Sequence, residues 1–192
     1  MRATGVREKI DRAAIDLFAS RGVDGVSIAD IATAAAVSQG ALYRHYRSKD
    51  DLAQQLFAVA YRRMGAELAA IAVGQPGLAP RIAAMVAHFC ALYDRDPSLF
   101  RFLLLAQHNL LPEIDDDGVS PAAVIEGAIA NAVGNGELPV AVDGAVAAAA
   151  IMGIVLQTAL FHVYGRIVGP LQALAPALSR AALAAIAALA QV

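Results

Sequence analysis

The sequence contains no tryptophan and a single cysteine, and only 6% of its residues are aromatic. Because Cys90 has no partner within the chain, a disulfide scaffold is excluded and a reducing, cytoplasmic setting is favoured. The 58% hydrophobic content is that of a globular protein rather than a disordered one. Alanine supplies 45 of the 192 residues. Since alanine and leucine favour helices, and few segments concentrate β-branched or aromatic residues, we predict an all-α protein.

The sequence also lacks the usual signals for export and for a membrane. The N-terminus has no apolar core followed by a small-residue cleavage site, so we expect no signal peptide. The stretch 145–163 is apolar and long enough to cross a bilayer. It is rich in Ala and Gly, however, and neither an aromatic belt at both ends nor a Lys/Arg cluster accompanies it. We therefore predict no membrane partner and a helix buried in a core or between subunits.

Charge is distributed unevenly along the chain. Residues 1–63 contain ten Lys and Arg against seven Asp and Glu, whereas residues 64–192 contain five against ten. Taken alone, so small a difference is also what random scatter of surface charge produces. It becomes informative because the basic segment contains a recognisable succession of helices.

Four helix starts fall within the first fifty residues. Apolar residues at helical spacing predict a first helix over 7–20, which Gly22 ends. Two short helices joined by a tight turn, and braced by a longer one, form a helix-turn-helix unit whose second helix can enter the major groove of DNA. That reader helix is predicted over 38–46. Three serines can each cap a following helix: Ser27, Ser38 and Ser48.

The predicted reader helix carries groups suited to DNA. Its first residues, Gln39, Gly40 and Ala41, are mostly small, so this end of the helix can approach base edges closely. Hydroxyl, guanidinium and imidazole groups follow, and these suit phosphate oxygens. Lys49 comes next, in the first turn of another helix, where backbone N–H groups and the helix dipole also favour a phosphate.

Residues 27–32, 37–46 and 48–52 resemble, in this order, the DNA-binding domain of TetR-family transcriptional regulators. The resemblance covers residues 7–57 without a gap, and Ala36 departs from it where the family usually has glycine. It implies a homodimer whose recognition helices enter successive major grooves of double-stranded operator DNA. The candidate DNA-binding residues are the phosphate contacts Ser27, Tyr43, His45 and Lys49, the first reader residue Ser38, and Gln39, Gly40, Ala41 and Arg44 near the bases. Tyr46, four residues after Leu42, is expected in the core instead.

We predict a DNA-binding domain over residues 1–49 and a helical effector-binding and dimerisation domain over 50–192, with nine or ten helices in all and an acidic loop at 113–118. The homodimer is predicted to form through two helices at about 121–134 and 143–165, whose small residues let helices approach closely. Burial inside one subunit is the alternative reading. The small residues are Ala123, Gly127, Ala130, Ala145, Ala149 and Gly153.

An effector site is predicted in the larger domain, in a cavity among helices up to 73, at 79–94 and at 97–110. Polar groups converging on an apolar interior are typical of small-molecule sites, although each residue taken alone is more often a core residue. The candidate ligand-binding residues are Met85, His88, Phe89, Tyr93, Phe102, Gln107, His108, Gln157 and Phe161, with His162 nearby.

The predicted function is a ligand-responsive repressor that a small apolar or aromatic effector releases from a palindromic operator. The alternative is a DNA-binding protein whose C-terminal domain only dimerises or binds a protein partner. We expect no enzymatic activity, because His88 and Cys90 would point about 200° apart on a helix and no phosphate loop or nucleophile elbow is present. No cofactor and no metal are expected, since His and Cys pairs at ligand spacing are missing.

Overall fold

The computed structural model describes residues 2–111 and 120–191 of the chain. Within these residues every regular element is helical, which confirms the predicted all-α class. The predicted acidic loop at 113–118 lies outside the described residues. In chain order the helices are α1 (Arg2–Arg21), α2 (Ile28–Ala34), α3 (Gln39–Tyr43), α4 (Lys49–Gly74), α5 (Leu78–Arg95), α6 (Pro97–Leu110), α7 (Pro121–Gly134), α8 (Gly144–Val163), a 3-10 turn (Leu171–Leu174) and α9 (Ala175–Leu189).

Side-chain caps begin the helices where the sequence places Ser or Asp. Ser27 Oγ accepts from the Asp30 N–H at 3.2 Å, and the Asp30 carboxylate accepts from the Ser27 N–H at 2.9 Å, which completes the predicted capping box. Ser38 and Ser48 cap α3 and α4 at 3.1 and 3.0 Å. Each cap satisfies N–H groups that the first helical turn leaves without a partner.

One compact unit contains residues 2–60 and 96–111. In it α6 packs on α1, where the rings of Phe18 and Phe102 lie 5.6 Å apart and Phe57 meets Phe102 edge-on. Arg101 Nε donates to the Ala19 carbonyl at 2.7 Å. The helix at 97–110 was predicted to line a cavity of the larger domain. Because its apolar face is buried against α1 and α4 instead, α6 is part of the core beneath the helix-turn-helix.

The other compact unit contains residues 61–95 and 120–191. Here α8 packs against both α7 and α9, and α5 packs against α9. Asp94, near the end of α5, accepts from the N–H groups of Leu171 and Gln172 at 2.8 Å each. These bonds accompany the 3-10 turn, which leads directly into α9. Since α4 contributes to both units, a division of function at residue 49 remains a prediction.

Among residues 2–111 and 120–191, two segments are long and apolar enough to cross a membrane by length and composition, Gly144–Val163 and Leu171–Leu189. A core helix of a globular protein can be equally long and apolar. In the most apolar 18-residue stretch of each segment, only 28% and 33% is buried within the chain. Much of their apolar surface is therefore uncovered in a single chain, which is a feature of interfaces.

Backbone strain is located in the turn of the helix-turn-helix. Ala36 has a φ of +54°, the only left-handed non-glycine residue among those described. The Val37 N–H bonds to the Ala32 carbonyl at 2.9 Å and the Ala36 N–H to the Thr33 carbonyl at 3.1 Å. These two bonds form a Schellman motif, in which this position is usually glycine. Ala36, which replaces the family's usual glycine, thus lies at a position where a Cβ is costly.

Ala36→Gly is expected to stabilise the protein by about 1 kcal/mol. A left-handed alanine costs about 1–2 kcal/mol, and glycine removes this cost. Part of the gain is lost because glycine gives the unfolded chain more conformational entropy. Urea unfolding followed by circular dichroism measures the change. Ala34→Gly, two residues earlier at the end of α2, is the matched control and should destabilise by at most about 0.5–1 kcal/mol. Equal destabilisation by both variants would contradict strain at Ala36.

Candidate nucleic-acid interface

The helix that the sequence assigns to reading DNA is shorter than predicted. It spans Gln39–Tyr43 rather than 38–46, and the chain continues as a turn in which the N–H groups of His45 and Tyr46 bond to the Leu42 carbonyl at 2.9 and 3.1 Å. The helix ends early because the Tyr46 side chain turns into the core, where it is 1% exposed. The expectation that Tyr46 is a core residue is confirmed.

Most of the candidate DNA-binding side chains are on the surface. Tyr43 is 54% exposed, although large aromatic side chains are usually covered. His45 and Lys49 are half-buried, whereas Ala41 is only 8% exposed and packs inward beside Leu42. The Ala41 side chain is therefore not presented to solvent. The exposed candidates are Ser27, Ser38, Gln39, Gly40, Tyr43 and Arg44.

A polar network below α3 fastens its end to α1. The Tyr46 hydroxyl donates to Asp11 Oδ1 and accepts from Arg7 Nε at 3.1 Å. Burial raises the pKa of Tyr46 to about 12, and the Asp11 bond acts in the same direction. Burial also raises the pKa of Asp11, against the opposing effects of Tyr46 and Arg7. Sequence reasoning missed Asp11 and Arg7; the available signal was an acid beside Ile10, at the edge of the apolar face of α1.

Tyr46→Phe is expected to lower the free energy of unfolding by about 1–2 kcal/mol, because the half-buried Asp11 carboxylate loses a donor. Tyr43→Phe is the matched control, since it removes the same atom from an exposed ring and should change stability by less than about 0.5 kcal/mol. Chemical denaturation of both variants measures the difference. A Tyr46→Phe protein as stable as the control would contradict a stabilising network.

The start of α4 combines attraction and repulsion for a phosphate. Lys49 is its first residue, but Asp50 and Asp51 follow in the same turn. Hydrogen bonds from the Gln55 side chain and from the Arg47 N–H lower the pKa of Asp51, which is therefore ionised at neutral pH. Since both carboxylates oppose an anion, attraction at this helix end depends on the Lys49 ammonium.

The nine candidate ligand-binding residues are divided between the two compact units. Phe102, Gln107 and His108 lie on α6, in the unit with the helix-turn-helix. The other six lie in the second unit: Met85, Phe89 and Tyr93 are buried on α5, His88 is half-buried, and Gln157 and Phe161 are exposed on α8.

Two polar pairs in the second unit involve the candidate histidines. His88 Nε2 lies 3.0 Å from Glu67 Oε2. Arg63 is the larger cause of the lowered pKa of Glu67, and His88 adds to it. His162 Nδ1 lies 2.9 Å from the Tyr93 hydroxyl, and its Nε2 lies 2.7 Å from the Gly169 carbonyl oxygen. Both histidines thus have polar partners within the chain.

The only cysteine, Cys90, is buried on α5. Burial raises the pKa of Cys90 to about 11, so its thiol is protonated at neutral pH and a poor nucleophile. Among residues 2–111 and 120–191, no three His, Cys, Asp or Glu side chains are grouped so as to hold a metal ion.

Comparison with known proteins gives two kinds of match. The family model for bacterial regulatory proteins of the tetR family matches residues 10–56. The HTH-type transcriptional regulator AcrR of Shigella flexneri is 35% identical over 63 residues, which are 33% of this chain and 29% of AcrR. The chain thus aligns with under a third of that relative's length.

Solved structures match over nearly the whole chain at low identity. FadR from Bacillus subtilis, in complex with stearoyl-CoA, has a TM-score of 0.83 and 19% identity over 92% of this chain and 97% of that one. A gamma-butyrolactone receptor described as ArpA-like has a TM-score of 0.70 and 22% identity over 95% and 99%. These likenesses extend the shared fold beyond the helix-turn-helix. Residues 10–56 of the chain are thus similar to the tetR family of bacterial regulatory proteins.

Proposed function

We propose that the protein is a homodimeric repressor that binds a palindromic operator and is released by a small apolar or aromatic effector. The observation that carries the proposal is the exposed polar surface of α3 and its flanking turns, on residues that match the family domain. In this proposal Ser27, Tyr43, His45 and Lys49 contact phosphates, whereas Gln39, Gly40 and Arg44 approach base edges. Ala41 contributes by its small size rather than by a side-chain contact.

Dimerisation through α7 and α8 is supported by glycines that the single chain does not need. A Cβ added at Gly127 or Gly153 would meet nothing within 4 Å. Glycine inside a helix costs about 0.5–1 kcal/mol relative to alanine, so some other close contact accounts for these two residues. Ala145 and Ala149 are exposed on α8, at four-residue spacing from Gly153. A face of this kind suits a second copy of the helix packed closely against it.

Regulation by a small molecule is supported by the structural relatives and by the residues of α5. FadR binds stearoyl-CoA in its solved structure, and another relative is named for a butyrolactone. In this chain, Met85, Phe89 and Tyr93 are buried on α5, and His88 is half-buried on the same helix. An effector acts by favouring a dimer whose readers no longer match half-sites about 34–36 Å apart. The free energy by which the effector shifts this equilibrium cannot exceed the difference between its binding free energies for the two states.

The test is a gel-shift titration of the protein with DNA from upstream of its own gene, at two salt concentrations. We expect a specific band that weakens at higher salt and disappears when an apolar effector is added, with stearoyl-CoA and a gamma-butyrolactone as first probes. Absence of a specific band at either salt concentration would contradict the repressor. A band unaffected by every apolar compound would favour the alternative, a C-terminal domain that only dimerises or binds a protein.

A further inference from the structure

A cleft of about 540 Å³ lies within the compact unit that carries the helix-turn-helix. It is formed by the end of α1 and the turn after it, the first turns of α4, and the second half of α6. Its volume is within the range of sites for drug-sized molecules. Neither the DNA contacts nor the effector residues of α5 and α8 belong to it.

The floor and one wall of the cleft are apolar and rigid. Phe18 and Phe102 are buried, and their rings pack 5.6 Å apart. Leu105, also in the lining, keeps 41% of its surface exposed. Two bonds hold α1 and α6 together: Arg101 Nε donates to the Ala19 carbonyl at 2.7 Å, and Arg12 pairs with Asp96 at 2.7 Å. The cleft is therefore formed before any ligand arrives, which lowers the entropic cost of binding.

The polar part of the lining has an excess of negative charge. Asp24 and Asp50 both contribute to it, and among the described residues neither carboxylate takes part in an ion pair or a side-chain hydrogen bond. Arg21 is the cation in the lining, and its charge also acts on Asp30 outside the cleft. Two unpaired carboxylates beside an exposed leucine and buried aromatic rings favour a ligand with an apolar body and one positive charge.

We propose that this cleft binds small amphipathic cations, with the apolar body against Leu105 and Phe102 and the ammonium group facing Asp24 and Asp50. The site goes beyond the function proposed above, because it lies in the DNA-binding unit and takes a ligand of different charge. Anions of the same shape are disfavoured by the carboxylates, and neutral molecules lack the electrostatic attraction.

The experiment compares three probes that share one body: 4-phenylbutylammonium, 4-phenylbutanol and 4-phenylbutyrate. Isothermal titration of the full chain at low salt is expected to give about tenfold tighter binding of the ammonium than of the alcohol, and still weaker binding of the carboxylate. The Asp24→Asn/Asp50→Asn double variant should remove the preference for the cation. Glu8→Gln, an exposed acid on α1 outside the lining, is the matched control and should preserve it.

Leu105→Lys provides a second variant, because it places a positive charge on an exposed part of the cleft wall. It should abolish binding of the ammonium. Circular dichroism checks that the fold is retained. Equal affinity for the three probes, or no binding of any, would overturn the proposal. An unchanged preference for the cation in the double variant would also overturn it. The same holds if Leu105→Lys binds the ammonium as tightly as the unchanged protein does. None of these results bears on operator binding, which the gel shift tests separately.

Discussion

Gly153→Glu is expected to separate the proposed dimer into folded monomers and to lower operator affinity by about 100-fold or more. Within one chain a Cβ at this position meets nothing within 4 Å, and helix propensity improves. Across a closely packed two-fold interface it would bury two unpaired carboxylates, which is strongly unfavourable. Since each half-site would then be bound separately, the advantage of two linked readers, a factor of about 10² to 10⁴, is lost.

Analytical ultracentrifugation and a fluorescence-anisotropy titration of operator DNA measure the two effects. Gly74→Glu is the matched control, because Gly74, the last residue of α4, is also open to solvent. It should leave both mass and DNA affinity unchanged. A Gly153→Glu protein that remains dimeric with full affinity would place the interface elsewhere. Loss of helicity in that variant would instead indicate that the Gly153 face of α8 is covered within its own chain.

Arg44→Ala and Lys49→Ala are expected to weaken DNA binding in different ways. Arg44 is exposed at the end of α3, where its guanidinium can bond a guanine with two donors. Its loss should cost about 1–3 kcal/mol at one base pair and relax the preference there, and Gln39→Ala should likewise alter which DNA is preferred. Lys49 is expected to contact a phosphate, so its loss should weaken all sequences alike and reduce the salt slope by about one.

Binding titrations against a set of single-base operator variants, at several salt concentrations, separate the two roles. Arg95→Ala is the matched control, since this exposed arginine ends α5 in the other compact unit. It should affect neither sequence preference nor salt slope. Equal, sequence-independent losses for Arg44→Ala, Gln39→Ala and Lys49→Ala would show that the assignment of base and phosphate contacts is wrong.

The helix-turn-helix could be predicted because its signals are local. A serine cap bonds an N–H two or three residues along, so the starts of α2, α3 and α4 were evident from Ser27, Ser38 and Ser48. Ala36 was noted through the family resemblance, as an alanine where glycine is usual, and the structure gives it a positive φ.

The partners of α6 could not be predicted, because apolar periodicity identifies a buried face but not the surface that covers it. Phe102 fits an effector pocket and a core equally well by sequence, and the structure packs it on Phe18 in the unit of the helix-turn-helix. The end of α3 depends on a similar long-range contact. Tyr46 leaves the helical path to reach Asp11, thirty-five residues earlier in the chain.

Interactions within a few residues, together with a composition that favours helices, determined the all-α class and the helix starts. They also carry the similarity of residues 10–56 to the tetR family. Contacts between distant residues decided what those helices cover: α6 completes the core beneath the reader, Ala41 turns inward, and a cleft opens beside Asp24 and Asp50. The reason is that local hydrogen bonds are encoded by neighbouring side chains, whereas packing depends on which apolar faces meet once the whole chain has folded.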